Sequence, residues 1–307
     1  MTQKKKIIVT GSNGLLGQKL ILALVKRADL ITIATSKGEN RMRWQEGYLY
    51  ESLDITKKTE VENCIRNHRP DVVINTAAMT NVDGCESDKP GCLAMNVTSV
   101  QHIVDSLESI APNTQLIHLS TDFVFDGERG SYTEVDIPNP LSYYAWSKLE
   151  SEKVVQRSRL KWAIGRTSIV YGIVDNMSRT NIVLWAKEAL SKGNKMNVVD
   201  DQFRSPTLSA DLADCCIAIA DKGATGIYHL SGPDTMSILE LVYRVADFWK
   251  LDKSVVNIMK SDTLNQAAKR PPRTGFIIDK ARKDLGYAPH SFEEGLAILD
   301  KELMQLA

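Results

Sequence analysis

The stretch Ile7-Ile8-Val9-Thr10-Gly11-Ser12-Asn13-Gly14-Leu15-Leu16-Gly17 constrains this chain more than any other. A β-branched apolar run feeds a turn with three glycines, and the turn feeds the amphipathic segment Leu20-Ile21-Leu22-Ala23-Leu24-Val25. Strand, glycine turn and helix in this order open a dinucleotide-binding unit. Gly11 is expected to permit the tight turn. Gly14 would let the backbone approach a pyrophosphate, and Gly17 would let the helix pack close to the strand. The free N–H groups at the helix start would hold the anion, with Ser12, Asn13, Leu15 and Leu16 around it. A tight strand-to-helix turn with no ligand has the same local pattern.

Apolar runs and helical patterns then alternate. Strands are predicted at Leu30–Thr35, Tyr48–Leu53, Asp71–Asn75, Gln115–Ser120 and Trp162–Arg166. Helices are predicted at Val61–His68, from about Cys92 to Ile110, and at Leu141–Gln156. Strands that are apolar throughout, separated by helices, predict a doubly wound parallel sheet covered on both faces. The alternation stops near residue 168. Helical patterns remain at Asn181–Leu190, Ser209–Ala220 and Phe292–Leu306, and Ser237-Ile238-Leu239-Glu240 has capping-box spacing. Gly226–Leu230 reads as one more strand, and Lys269-Arg270-Pro271-Pro272-Arg273 as the sharpest loop. The division expected is a dinucleotide-binding domain over 1–167, to which later segments return, and a smaller mixed substrate-binding region over 168–307.

Lys+Arg and Asp+Glu both number 38 in the 307 residues, which argues against binding nucleic acid through bulk charge. The five cysteines are odd in number and have no metal-knuckle spacing. Cys215 and Cys216 fit a buried helical face, and the chain reads as reduced and cytoplasmic. Met1-Thr2-Gln3-Lys4-Lys5-Lys6 reads as a solvated lead-in, and no apolar segment of signal-peptide or membrane-span length follows it. His118 and His229 lie in apolar strands and are expected to be core residues with satisfied hydrogen bonds. His68, His102 and His290 show no ligand spacing, and no metal site is predicted.

The chemistry gathers at Ser120-Thr121-Asp122 and Tyr144-Ala145-Trp146-Ser147-Lys148. Tyr144 and Lys148 share one helix face. A phenol with a free pKa of roughly 10 is a poor acid at neutral pH, and a nearby ammonium is expected to bring it down. Thr121 could hold a carbonyl oxygen beside that phenol while a reduced nicotinamide delivers hydride. The bland reading is a packing aromatic and a solvated cation.

In these residues the chain resembles the extended short-chain dehydrogenase/reductase superfamily, and within it the dTDP-4-dehydrorhamnose reductase family. The resemblance runs through Leu53-Asp54-Ile55-Thr56, Asn75–Asp83, Ser120–Gly127, Tyr144–Glu150, Arg166–Gly172, Asp201–Thr207, Gly226–Gly232 and Arg270-Pro271. It implies a Rossmann-like α/β fold and reduction of a 4-keto sugar carried on a nucleotide. Tyr144 would donate a proton to the C4 oxygen. Thr121 would bind that oxygen, with Asp122 beside it. Lys148 would hold the nicotinamide ribose and tune Tyr144. Asp54 and Ile55 would flank the adenine, and Ala77, Ala78 and Met79 would line the nicotinamide side. Thr80 and Val82 would face the sugar, and Asn96 would order the helix before the active site, a surface Asn being its alternative.

Three departures shape the expectation. The second strand ends in Thr35-Ser36-Lys37, with Arg41 and Arg43 nearby and no acid for the ribose. A hydroxyl and a cation suit a 2′-phosphate, which favours NADPH, with NADH as the alternative. Ile169 stands where the family often has a sugar-contacting Trp. Arg204 stands where the family often has Gly, either reaching the diphosphate of a nucleotide-sugar or lying on the surface. A dehydratase would place a Glu where Phe123 stands. A nucleotide-sugar epimerase remains open, as does a dinucleotide-binding regulatory subunit resembling the β subunit of methionine adenosyltransferase. A nucleotide-sugar is the partner expected, with no nucleic acid and no membrane, and a homodimer left open.

Overall fold

The first strand shows how apolar runs become a sheet covered on both sides. In the computed structural model, which describes residues 4–264 and 266–306, β1 (Lys5–Thr10) sends Ile7 and Val9 into one core and Ile8 into another. The strand period of two does this wherever both faces are covered. Met1–Gln3 of the expected lead-in lie outside the described residues. Lys5 and Lys6 do not lead in to the strand but begin it, donating through Nζ to Ala220 O (3.1 Å) and His68 O (2.9 Å).

The chain continues through α1 (Leu15–Leu24), β2 (Leu30–Ser36), β3 (Leu49–Ser52), α2 (Lys58–His68), β4 (Val72–Asn75), α3 (Val82–Ser87), α4 (Lys89–Leu93), α5 (Ser99–Ile110), β5 (Gln115–Thr121), α6 (Tyr143–Arg157) and β6 (Lys161–Thr167). Then come β7 (Val170–Tyr171), α7 (Ile182–Ser191), β8 (Met196–Val199), β9 (Phe203–Arg204), β10 (Thr207–Leu208), α8 (Ser209–Lys222) and β11 (Gly226–His229). The last elements are β12 (Met236–Ser237), α9 (Ile238–Trp249), β13 (Val256–Met259), α10 (Asp279–Leu285) and α11 (Phe292–Leu306).

Seven parallel strands form the central sheet in the order β11-β6-β5-β4-β1-β2-β3. The α/β class and parallel doubly wound sheet are those predicted. From β1 the chain winds one way through β2 and β3 and the other way through β4, β5 and β6, so a crevice opens above the ends of β1 and β4. Leu20, Ile21 and Leu24 of α1 meet Leu212, Cys215 and Cys216 of α8 in one core. Cys64 and Ile65 of α2, Ile103 and Leu107 of α5, and Val155 of α6 form the other. After residue 168, α8, β11 and α10 return to the sheet, while α7, α9 and α11 enclose a third core around Leu241, Val245 and Leu296.

The predicted helix from Cys92 to Ile110 is not one α-helix. Ala94–Thr98 forms a π turn between α4 and α5. That turn carries Asn96 inward, where its Oδ1 accepts from Met79 N (2.7 Å) and its Nδ2 donates to Met79 O (3.0 Å) and Ser147 Oγ (2.9 Å). Asn96 is therefore buried rather than on the surface. α3 escaped the periodicity because it is six residues long, although its Asn81 cap, accepting from Gly84 N (3.0 Å), was visible. Ser237 makes only half a capping box: its Oγ accepts from Glu240 N (3.0 Å), but Glu240 pairs with Arg244. The five cysteines are free and buried, and no helix among the described residues is long and apolar enough to cross a membrane.

Candidate active site

Gly11 has φ +69°, and a Cβ there would stand 2.8 Å from the backbone of Ala77. It turns the chain and lets the segment after β4 approach. Gly14 is the N-cap of α1 and no side chain caps that helix, whose first turn holds no acid. A Cβ at Gly17 would stand 2.3 Å from Gly11 O and 2.6 Å from Ser12 Cα. Gly17 thus packs α1 onto the turn itself, not onto the strand as the sequence suggested. Asn13 is fixed by donating to Glu39 O (2.8 Å) and accepting from Arg41 N (2.9 Å). Ser12 is buried, and its Oγ has no partner. Uncapped amides at this helix start fit the pyrophosphate of a nicotinamide dinucleotide.

The turn forms one end of a cleft of about 700 Å³, lined there by Asn13, Gly14, Leu15, Leu16 and Gly17. Thr121, Asp122, Tyr144 and Lys148 line the same cleft, as do Ala78, Thr80, Val82 and Ile169. Gly11, Ser12, Ser36, Lys37, Asp54, Ile55, Ala77, Met79 and Arg204 do not line it.

At the reaction end, Ser142 Oγ accepts from Ala145 N (3.3 Å) and starts α6, which sets Tyr144 and Lys148 on one face. Tyr144 packs with Cys85 and Cys92 and meets Phe123 edge-on at 6.3 Å. Burial holds its phenol above the ordinary value, opposed chiefly by a hydrogen bond with Thr121 and, more weakly, by the charge of Arg179. This is opposite in direction to the effect expected from Lys148. That ammonium is turned elsewhere: Nζ donates to Leu119 O (2.7 Å) and lies 3.4 Å from His118 Nε2. Burial brings Lys148 down to about 8. His118, predicted as a core residue, therefore also borders the site. It accepts from Asn75 Nδ2 (3.0 Å) at Nδ1, meets Ser151 Oγ (2.9 Å) at Nε2, and is held well below its usual value by burial.

Asp122 is 3% exposed. Its Oδ2 accepts from Ser168 Oγ (2.7 Å) and Thr274 Oγ1, and its Oδ1 meets Thr121 Oγ1 at 3.1 Å. Burial raises its pKa, against the pull of Arg204 and these hydroxyls. Arg204 is itself buried, 2% exposed, and so not a surface residue. Its guanidinium donates to Phe203 O (2.7 Å), Pro272 O (3.2 Å) and Gln202 Oε1 (3.3 Å) and lies 5.0 Å from the Phe123 ring centroid. These bonds hold it behind the cleft wall, away from the diphosphate position anticipated for it. The cation that does line the cleft with Lys148 is Arg179, whose Nη2 donates to Thr80 Oγ1 (2.7 Å). Sequence reasoning missed Arg179 and Thr274. Arg179 stands in an aperiodic segment before α7, and Thr274 reaches Asp122 from 152 residues away. Ile169 has φ +30°, a strained value for a β-branched residue, at the cleft wall.

At the opposite end Lys37 Nζ lies 2.9 Å from Asp54 Oδ2, with the Lys37 side chain 79% exposed. A hydrogen bond from Thr56, then Lys37, lowers Asp54 to about 2. Lys37, read from the sequence as a cation suited to a 2′-phosphate, is thus paired with an acid. Ser36 O accepts from Leu53 N (3.0 Å), and Ile55 is buried under α5. Two histidine expectations fail. His229 Nδ1 meets Tyr132 O (3.1 Å), but its Nε2 has no partner. His68 lies 2.7 Å from Glu51 and one helical turn from Cys64, a spacing that suits a shared ligand.

The family described as RmlD substrate binding domain matches residues 5–304. A dTDP-4-dehydrorhamnose reductase of Aggregatibacter actinomycetemcomitans is 31% identical over 303 residues, covering 95% of this chain and 97% of that one. The methionine adenosyltransferase 2 subunit beta of Mus musculus is 27% identical, covering 90% and 89%. The solved dTDP-4-dehydrorhamnose reductase of Bacillus anthracis, in complex with NADP, superposes with a TM-score of 0.82 at 27% identity, covering 97% and 99%. Sheet order, glycine turn, buried Tyr144 and these matches lead to one conclusion: the chain belongs to the RmlD family, the dTDP-4-dehydrorhamnose reductase branch of the extended short-chain dehydrogenase/reductases.

Proposed function

We propose that this chain reduces the 4-keto group of a nucleotide-linked deoxysugar, converting dTDP-4-dehydro-L-rhamnose to dTDP-L-rhamnose with NADPH. As a member of its family the chain is an NAD(P)H-dependent oxidoreductase. The observation that carries the reading is the buried Thr121–Tyr144 pair at one end of a cleft whose other end is the uncapped start of α1. When bound, the reduced nicotinamide supplies hydride to the carbonyl carbon.

The chain's own residues do the rest. Tyr144 donates the proton to the C4 oxygen, and its high affinity for that proton keeps it loaded at neutral pH. In its protonated form Asp122 donates from Oδ1 to Thr121, which frees the Thr121 proton for the same oxygen. An ionised Asp122 would take that proton instead. Lys148, anchored on Leu119 O, holds the nicotinamide ribose. Ala77, Ala78 and Met79 border the nicotinamide, with Met79 fixed through both backbone groups by Asn96. Asp54 and Ile55 flank the adenine, and Ser36 and Lys37 take the 2′-phosphate. Thr80, Val82 and Ile169 face the sugar, and Arg179, rather than Arg204, supplies the cation for its diphosphate. Residues 1–167 carry the dinucleotide site, with α8, β11 and α10 returning to its sheet, and the rest of 168–307 helps enclose the sugar, in the cytoplasm.

The test is NADPH oxidation with dTDP-4-dehydro-L-rhamnose. Turnover is expected in the parent protein and lost in Tyr144→Phe, which should still bind NADPH. Tight NADPH binding with no oxidation would overturn the reading. A second reading, a regulatory subunit, is favoured by the similarity to methionine adenosyltransferase 2 subunit beta. It predicts a stoichiometric protein partner on purification and no turnover.

A further inference from the structure

Away from the cleft, three chemically different donors converge at the sheet edge. Glu51 lies on the edge strand β3, and Cys64 and His68 lie one turn apart on α2. A carboxylate oxygen of Glu51, the sulfur of Cys64 and an imidazole nitrogen of His68 all lie within 4.8 Å of one another. His68 Nε2 and Glu51 Oε2 are 2.7 Å apart. Cys64 is buried in the core beneath α2, while the side chains of Glu51 and His68 are 35% and 20% exposed. None of the three lines the cleft.

We infer that Glu51, Cys64 and His68 form a zinc site that ties β3 to α2, with water completing the coordination. Thiolate, imidazole and carboxylate suit Zn²⁺, whereas Mg²⁺ and Ca²⁺ prefer oxygen alone. Zinc holds such ligands at roughly 2.0–2.3 Å, so neighbouring donors around it stand about 3.4 Å apart in a tetrahedron. To reach that spacing the His68–Glu51 contact opens from 2.7 Å by about 0.7 Å, and donors now within 4.8 Å of one another draw in by about 1.4 Å at most. The fixed i,i+4 spacing supplies two ligands from one rigid helix. The exposed sides of Glu51 and His68 leave the fourth position to solvent.

Binding displaces the thiol proton of Cys64, because the thiolate is the ligand. Binding through Nε2 also releases to solvent the proton shared in the His68–Glu51 contact, or moves it to Nδ1, so that Nε2 faces the metal. Burial and the neighbouring Glu51 hold the thiol up to about 12 without metal, so binding strengthens as pH rises. The groups around the site are Glu51 from β3, Cys64 and His68 from α2, and Lys6 from β1, whose Nζ donates to His68 O at 2.9 Å. The site stands three residues before Asp54, so a bound ion would brace the strand that leads to the adenosine end of the cleft.

The test titrates the full chain with Co²⁺ as a spectroscopic stand-in, then with Zn²⁺ in competition. One equivalent of Co²⁺ should give a sulfur-to-cobalt charge-transfer band, and Zn²⁺ should abolish the band and raise Tm. Cys64→Ser should remove the band, and His68→Gln should weaken binding more than about tenfold. Far-UV circular dichroism and NADPH binding should be unchanged in both variants. If Cys64→Ser does not fold, the partly exposed His68→Gln carries the decision. No thiolate band, a band that survives Cys64→Ser, or affinity unchanged in His68→Gln would overturn the site.

Discussion

Two carboxylates, one in the cleft wall and one outside the cleft, obey different physics. Asp54, after β3, faces an ammonium that is 79% exposed and sits at about 2. Asp122, at the reaction end, is enclosed by three hydroxyls and is raised by burial. Water and salt screen the first pair, so it can tune binding only weakly. The second is desolvated, where each unmatched proton is costly and protonation state decides which way a hydroxyl points.

The sharpest break in this comparison is Tyr144→Phe. It should lower kcat by about 10²–10⁴-fold while leaving NADPH affinity unchanged, as read by steady-state oxidation and fluorescence titration. Loss of NADPH affinity instead would mean that the reaction end also holds the cofactor together.

Next is Gly17→Ala, which acts at the phosphate turn. The added Cβ meets backbone at 2.3 Å, and backbone yields little. NADPH binding should fall sharply and the fold should lose about 1–3 kcal/mol, measured by thermal unfolding. Unchanged binding would show that the turn tolerates displacement.

Asp122→Asn sharpens the contrast between the carboxylates. An amide mimics the protonated acid and cannot ionise, so the pH–rate profile of the variant should be flatter than the parent's across the range in which Asp122 ionises. The stability sign follows from linkage. The folded-state value of Asp122 is raised, so the folded state binds more protons than the unfolded one above the ordinary carboxylate range. The Asp122 contribution therefore falls as pH rises from about 4. Urea midpoints of parent and variant should converge at low pH and separate above it, with the variant the more stable. A constant gap would contradict the assignment.

Lys37→Ala should give the smallest effect. The KM for NADPH should rise roughly fivefold or less, the rise should shrink with added salt, and NADH should be unaffected. An equal effect on both cofactors would remove Lys37 from the 2′-phosphate. For Asp54 the sign is opposite to Asp122: its contribution is present above about pH 4 and lost as pH falls through about 2.

The same division explains what could be read from the sequence. The phosphate turn is local, since Gly11, Gly14 and Gly17 meet within seven residues, and the spacing alone exposed it. Tyr144 and Lys148 lie one helical turn apart and were equally plain. The reaction end also needs Ser168 and Thr274, which reach Asp122 across 46 and 152 residues. No periodicity relates such positions. The inward π turn at Asn96 and the burial of Arg204 were hidden for the same reason, because tertiary bonds to Met79, Ser147 and Pro272 decide them. Lys37 misled in the opposite sense. Its charge was visible, but its pairing with Asp54, seventeen residues on, was not.

The most direct test of the account follows the hydride itself. NADPH carrying deuterium at the transferred position is mixed with dTDP-4-dehydro-L-rhamnose and the product is read by mass and NMR. One deuterium at C4 of the product is expected for each NADPH consumed, with none transferred by Tyr144→Phe. Product formed without NADPH consumption, or a sugar altered at another carbon with C4 unlabelled, would contradict it.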